Sequence, residues 1–184
     1  EARAVALMNA FGGAARHTIV SSVPGALAAR DAIAPGIAAA FPDDAPPLAG
    51  RPGYRRYQEL AGYMRRFDLI LTYNWGAMDA VMARRMFPSD MPPLIHHEDG
   101  FNADETNRLK TQRNFMRRLA LPAAAAVVVP STTLESIVQT VWKQRPARVQ
   151  RIANGIATAL YAGKPQPLPA LRRLGSEVLI RTLA

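Results

Sequence analysis

The segment PLIHHEDGF at residues 93–101 decides the fold, because a short apolar run there ends in two imidazoles, two carboxylates and a glycine. This pattern is typical of a buried strand that opens into a polar loop, and open α/β sheets bind ligands outside the carboxyl ends of their strands. Side chains alternate along a strand, so His96 and Glu98 share one face whereas His97 and Asp99 share the other. The segment predicts a functional site; the alternative is a turn with solvated acids and one packed histidine.

Apolar runs that suit strands alternate with amphipathic segments along the chain. Further strands are predicted at residues 4–9, 18–22, 37–41, 67–73, 125–129 and 148–152. Helices are predicted at residues 26–33, 52–67, 77–85, 104–119 and 132–142, the last opening with a capping box of Thr132 and Glu135. This alternation indicates an α/β fold, a Rossmann-like doubly wound parallel sheet with helices on both faces.

Three polar or glycine-containing loops are expected at one crevice of this sheet. A strand order of 3-2-1-4-5-6 places the crevice between the first and fourth strands. Gly12 and Gly13 follow the first predicted strand, Asn74 and Trp75 follow the fourth, and the opening segment lies beside them. Two glycines allow close approach of the backbone to an anion, although a plain tight turn is an equally good interpretation.

Composition limits the classes of partner. The chain has 184 residues, 49% of them hydrophobic, and a net charge of +9, which favours an anionic partner such as a nucleotide or a membrane surface. No nucleic-acid partner is expected, because RNP, KH and helix-turn-helix patterns are absent from the sequence. With no cysteine and only three histidines, two of them on opposite strand faces, no bound metal or other cofactor is expected. No apolar stretch is long enough to cross a bilayer.

A change of composition after residue 157 predicts three parts. Residues 1–157 form the Rossmann-like domain. Residues 158–175, which include the run KPQPLP, are expected to be an extended linker. Residues 176–184 include EVLIRT, a predicted strand with no crossover after it, so we expect the start of a missing C-terminal domain.

Together these motifs resemble the amino-terminal half of retaining GT-B glycosyltransferases of the group 1, family 4 class. GGAARH at residues 12–17 is similar to the glycine turn of that family, and DLILTYNW at residues 68–75 to its fourth strand. HHEDG at residues 96–100 resembles its histidine-bearing fifth strand. RIANGI at residues 151–156 resembles the segment that ends the amino domain, although Ala157 stands where the family usually has aspartate.

The resemblance implies an acceptor-binding amino domain and a carboxyl domain that binds a nucleotide-sugar donor without metal. It implies that one of the two adjacent histidines lies near the transferred sugar, and we favour His97, with Glu98 and Asp99 orienting it or the acceptor hydroxyl. The other residues expected to contact donor or acceptor are Gly12, Gly13, His17, Asn74, Trp75, His96 and Asn154. For His17 and Trp75, packing in the protein core is an equally good interpretation.

The implied function is transfer of a hexose, with retention, to an envelope or lipid-linked glycan in polysaccharide biosynthesis. We expect the 184 residues alone to be inactive, because the donor half is missing. Lys110, Arg113 and Arg117 lie on one stripe of the predicted 104–119 helix and would place a cytoplasmic protein against the anionic inner membrane face. A solvated helix surface is the alternative for the stripe. The alternative function is a non-catalytic nucleotide- or anion-binding Rossmann-like module.

Overall fold

A computed structural model describes residues 2–23, 25, 28–48, 50, 53–101, 105, 110–155, 158 and 162–163. The chain divides into two compact units, Glu1–Asn154 and Gly155–Ala184. All helices and strands described below belong to the first unit. The predicted linker and the strand expected within 176–184 lie outside the described residues, apart from positions 158, 162 and 163.

Helices and short strands alternate through the first unit. The helices are α1 (Ala2–Phe11), α2 (Tyr54–Met64), α3 (Met78–Met86), α4 (Thr111–Ala120) and α5 (Thr132–Thr140). The strands are β1 (His17–Thr18), β2 (Ala39–Ala40), β3 (Ile70–Tyr73), β4 (Leu94–His97), β5 (Ala126–Val129) and β6 (Val149–Arg151). This arrangement confirms the predicted Rossmann-like α/β class.

Strands β3, β4, β5 and β6 form a parallel sheet in that order. The register places Thr72 beside His96, His96 beside Val127, and Val127 beside Val149. Parallel strands bring their carboxyl ends to the same edge, so the loops after β3 and β4 are neighbours. The adjacency of β3, β4 and β5 agrees with the predicted order of the fourth, fifth and sixth strands, and β6 extends the sheet by the seventh.

The core lies against both faces of this sheet. Val127, Val128 and Val129 are consecutive in β5 and all are buried, which requires cover on each face of the strand. Within the predicted 52–67 helix, α2 buries Tyr57, Leu60, Ala61 and Met64. The helical spacing of these side chains directs them to one side.

Residues 4–9, predicted as the first strand, lie in α1 instead. The prediction was wrong because a short apolar run does not distinguish a buried strand from a helix. The segment is rich in alanine, leucine and methionine, which favour helix, and it buries Val5 and Met8 three residues apart. Gly12, with φ of +55°, follows the last residue of this helix. A glycine in this conformation is a common helix stop.

Strands β1 and β2 pair with each other, His17 beside Ala39, in a two-stranded sheet of their own. The predicted strands at 18–22 and 37–41 are therefore too long, and the described residues do not contain the predicted 3-2-1-4 order. Ser21 explains the early end of β1. Its Oγ donates to the Val23 carbonyl oxygen at 2.9 Å and accepts from the Val23 N–H at 3.2 Å. This local turn competes with the strand ladder.

The remaining helix boundaries differ modestly from the predictions. Of the predicted 104–119 helix, the structure describes α4 from Thr111, whereas 102–104 and 106–109 lie outside the described residues. For the predicted 26–33 helix it describes a 3₁₀ turn at Ala28–Ala32. In the described part of the chain, no helix combines the length and the apolar character that crossing a bilayer requires.

The cap of α5 is Ser131 and not the predicted Thr132. Ser131 has an extended backbone, and its Oγ accepts from the Leu134 N–H at 3.2 Å. Glu135, the other member of the predicted capping box, instead pairs with Arg151 at 3.0 Å. The capping geometry thus begins one residue earlier than the sequence pattern indicates.

We predict that Ser131→Ala lowers the free energy of unfolding by about 1 kcal/mol, because the Leu134 N–H loses its acceptor. Thr132→Ala, one residue along on the exposed first turn, is the matched control and should change it by only a few tenths, about 0.3 kcal/mol. Urea unfolding followed by circular dichroism measures both. A larger loss of unfolding free energy for Thr132→Ala than for Ser131→Ala would show that Thr132 is the cap.

Candidate functional site

Asn74 joins the loops that follow β3 and β4. Its backbone N–H donates to the His97 carbonyl oxygen at 2.7 Å, and its Oδ1 accepts from the Asp99 N–H at 2.7 Å. Asn74 has φ of +54° and ψ of −169°, a backbone conformation that favours glycine. Three residues predicted for the site, Asn74, His97 and Asp99, are therefore in contact at the carboxyl edge of the sheet.

His96 and Glu98 lie together on one face, as the alternation along β4 predicts. Both side chains are fully buried. The Nδ1 atom of His96 lies 2.9 Å from Thr72 Oγ1, and its Nε2 atom lies 3.6 Å from Glu98 Oε2. These contacts place His96 and Glu98 beneath the strand end, within the protein, while His97 and Asp99 occupy the other side.

Arg117 of α4 reaches Glu98 from the opposite direction. Its Nε donates to Glu98 Oε2 at 3.2 Å, and its two terminal nitrogens donate to Glu105 at 3.3 and 3.5 Å. Arg113 donates to the same Glu105 carboxylate at 2.9 Å. Burial raises the pKa of Glu105, but hydrogen bonds from Arg113, Arg117 and the Lys110 N–H outweigh it, so its pKa lies below the ordinary value. Glu105 is thus an ionised carboxylate held by two arginines.

Aromatic rings complete the surroundings of Arg117. The guanidinium carbon lies 4.7 Å from the ring centre of Trp142, 5.3 Å from that of Trp75 and 5.6 Å from that of Phe101. Distances of this order permit cation–π attraction. Arg117 had been expected on an outward-facing stripe, and this was wrong, because the residue is fully buried.

A sequence pattern for the burial of Arg117 does exist. Arg117 precedes Ala120 by three residues and Leu121 by four, so it lies on the helix face that both bury. An arginine on such an apolar face needs carboxylate partners, and Glu98 and Glu105 are two of the four acids within 19 residues before it. Sequence reasoning missed this, because the stripe was defined by charge alone.

His97 lies on the other face of β4 and is almost completely buried. Its ring stacks on that of Tyr73, with centroids 4.7 Å apart and planes inclined at 22°. Burial lowers the pKa of His97 to about 4; the positive charge of Arg3 acts in the same direction and the carboxylate of Asp99 opposes it. His97 is therefore a neutral imidazole near pH 7. Its Nδ1 atom is buried and has no hydrogen-bond partner within the described residues.

Arg3 connects the end of β4 with the end of β6. Its Nη1 lies 3.0 Å from Asp99 Oδ1, and its Nη2 donates to the Ile152 carbonyl oxygen at 3.0 Å and to the side chain of Asn154. Asn154 was predicted for the site, and Arg3 was not. Arg3 was missed because residues 4–9 were assigned to a strand. A strand there would place Arg3 at the amino edge of the sheet, away from Asp99.

The other predicted binding residues lie apart from this cluster or take part in packing. Gly12 and Gly13 form a 3₁₀ turn after α1, and His17 lies in the two-stranded sheet with its ring 6.5 Å from that of Phe11. Trp75 packs against the core and lies beneath the guanidinium groups of Arg113 and Arg117, at 5.1 and 5.3 Å. Among the described residues, no group of three or more metal-binding side chains is assembled.

We predict that His97 makes stability depend on pH. Between about pH 4 and 6.5 the unfolded chain binds a proton that the folded imidazole does not, so the free energy of unfolding should rise with pH. The contribution over this window is at most about 3 kcal/mol. His97→Gln should remove that part of the slope in urea unfolding measured at several pH values, whereas His17→Gln should keep it. Identical slopes for His97→Gln and the wild type would contradict the assignment.

The sequence model of Glycosyltransferase Family 4 matches residues 6–160, which span α1 to β6 and both loops of the site. A search of curated protein sequences found no significant match. The family match confirms the resemblance carried by the sequence motifs, and it agrees with the parallel sheets and intervening helices of a GT-B domain. The chain therefore belongs to Glycosyltransferase Family 4.

Proposed function

We propose that the chain is the acceptor-side domain of a retaining hexosyltransferase that takes its sugar from a nucleotide-sugar donor. The proposed acceptor is an envelope or lipid-linked glycan, in polysaccharide biosynthesis. Family membership makes the protein a glycosyltransferase, which binds a sugar donor and an acceptor. The finer proposal depends on one observation, the neutral and nearly buried His97 at the carboxyl edge of the sheet.

The chemistry of His97 suits a sugar hydroxyl. A neutral imidazole has one nitrogen that donates and one that accepts, and a hydroxyl can do both. The Nδ1 atom of His97 is free of other partners within the described part of the chain, so a substrate hydroxyl would satisfy it. We assign His97 to a hydroxyl of the transferred sugar or of the acceptor. Asp99, whose side chain is one-quarter exposed, is the carboxylate beside it.

Charge favours the approach of the proposed donor. A nucleoside-diphosphate sugar carries negative phosphates, and the chain carries a net charge of +9. An excess of positive charge raises the local concentration of an anionic substrate and its rate of association. The donor is a substrate, and the proposal includes no metal and no resident cofactor.

We place the membrane contact, if the acceptor is lipid-linked, on the exposed face of α4. The predicted stripe of Lys110, Arg113 and Arg117 does not form this face, because Arg117 is buried and Arg113 pairs with Glu105. Phe115 is 63% exposed and Leu119 is 38% exposed, with Arg118 exposed between them. Exposed apolar side chains beside a cation suit the interface of an anionic membrane. The proposed location is the cytoplasmic face of the inner membrane.

One observation favours the alternative of a non-catalytic anion-binding module. A surface pocket of about 340 Å³ is lined by Lys143, Arg145 and Arg148, together with Pro122 and Gln144. Arg148 directly precedes β6, so this pocket lies at the amino edge of the sheet, opposite His97. An anion that bound only at this pocket, with no sugar transfer, would favour the alternative.

We predict that His97→Ala lowers the turnover of the natural full-length protein by about 10²-fold or more, because a positioned hydrogen-bonding group is lost. Arg85→Ala, on the exposed end of α3, should leave turnover unchanged. Nucleotide release from a panel of nucleoside-diphosphate sugars measures turnover, and the anomeric configuration of the product tests retention. Equal, small effects of both substitutions would remove the claim for His97.

We also predict that Phe115→Ser/Arg118→Ser weakens binding to vesicles of anionic phospholipid by about tenfold or more, because an apolar contact and a charge are both lost. Arg85→Ser/Met86→Ser is the matched control, since Met86 is 43% exposed beside an exposed arginine on α3. Cosedimentation measures binding, with zwitterionic vesicles for comparison. Equal losses in both double variants would place the membrane contact elsewhere.

A further inference from the structure

The guanidinium of Arg117 is fully buried and has a carboxylate partner at each of its three nitrogens. Nε donates to Glu98 at 3.2 Å, and the terminal nitrogens donate to the two oxygens of Glu105 at 3.3 and 3.5 Å. Arginine can satisfy two acids at once because its donors form a rigid planar fork. The group therefore has a fixed direction as well as a fixed position.

This guanidinium also contacts both loops that bear the proposed site. Trp75, 5.3 Å away, belongs to the turn after β3, and Phe101, 5.6 Å away, belongs to the loop after β4. Trp75 directly follows Asn74, and Glu98 directly follows His97. Arg117 thus contacts Trp75 and Glu98, the sequence neighbours of the two residues that the Asn74–His97 hydrogen bond joins.

We propose that Arg117 is a positioning residue for sugar transfer, which fixes the orientation of His97 by anchoring Glu98 and the turn at Trp75. This inference rests on the proposed function of His97. Arg117 itself is buried on α4 and contacts protein groups, so it acts through its neighbours and has no direct part in the reaction.

Stabilisation alone does not account for this cluster. Apolar side chains of similar volume often stabilise a core as well as a buried ion cluster does, or better. The charged hydrogen bonds also fix the orientation of the groups that they join. The end of β4 requires a fixed orientation because it carries His97. The ring of His97 already stacks on Tyr73, and Asn74 bonds its carbonyl oxygen. Anchoring the next residue, Glu98, removes the remaining freedom of that end of β4.

The first test is Arg117→Lys in the natural full-length protein. Lysine keeps the charge but ends in a compact ammonium on a flexible stem, so it cannot reproduce the planar fork that holds Glu98 and Glu105 in fixed directions. We expect kcat to fall by about tenfold or more with little change in KM, as expected when a catalytic group is displaced by a fraction of an ångström. Arg85→Lys, on the surface of α3, is the matched control and should retain the wild-type kcat. A wild-type kcat for folded Arg117→Lys would overturn the proposal.

A spectroscopic measurement follows His97 directly. The chain has three histidines, so ring signals of histidine-labelled protein can be assigned with one substitution each. Arg117→Lys should shift the ring signals of His97, because its position against Tyr73 changes, and leave those of His17 in place. Unmoved His97 signals in the folded variant would overturn the proposal.

A double-mutant cycle tests whether the effect passes through Glu98. Glu98→Gln keeps the shape of the side chain and removes its charge. If Arg117 acts through Glu98, the kcat of Arg117→Lys/Glu98→Gln should be about the same as that of the less active single variant. Losses that multiply would show that Arg117 acts independently of Glu98, and this would overturn the proposal.

If Arg117→Lys does not fold, Arg117→Met/Glu98→Gln/Glu105→Gln replaces it, because it removes the three fully buried charges of this cluster. Shifted His97 signals in it support the proposal, and wild-type signals overturn it. The spectroscopic test needs no substrate, so its failure is separable from that of the proposed function. The latter fails if His97→Ala transfers sugar at the wild-type rate, whatever the spectra of the Arg117 variants show.

Discussion

The parallel pairing of β4 with β3 on one side and β5 on the other is the constraint on which the site depends. Because all strands of this sheet run in one direction, the residues after β3 and β4 emerge side by side. Asn74 can then bond both the His97 carbonyl and the Asp99 amide. Without that pairing, the two loops would not lie side by side, and Arg117 of α4 could not contact both of them.

The strict alternation of side chains along β4 gives two adjacent imidazoles different surroundings. His96 faces Thr72 and the buried Glu98–Arg117 pair, whereas His97 faces Tyr73, Asp99 and Arg3. On the first side the carboxylate of Glu98 pairs with the buried guanidinium of Arg117. On the second side a neutral ring lies at the sheet edge. One strand of four residues thus separates the environment of the buried Glu98–Arg117 pair from that of the neutral His97 ring.

Much of this was predictable, and the failures have physical reasons. The opening segment predicted both the strand and its two-sided loop, because alternation is a geometric property of any strand. The amino end was misassigned because an alanine-rich run of six residues fits either element, and only tertiary contacts of Val5 and Met8 decide it. Arg117 was misplaced because charge suggests exposure, and its carboxylate partners lie outside its own helix. The role of Arg3 follows only once α1 is a helix.

The conformation of Asn74 has a consequence for sequence variation at that position. The backbone there has φ of +54° and ψ of −169°, a conformation that favours glycine over every other residue. Glycine has no side-chain acceptor for the Asp99 amide, and aspartate would bring a second negative charge against that residue. Hydrogen bonding and charge therefore favour asparagine at this position, against the preference of the backbone for glycine. Drift at this site should be far slower than at the surface positions around it.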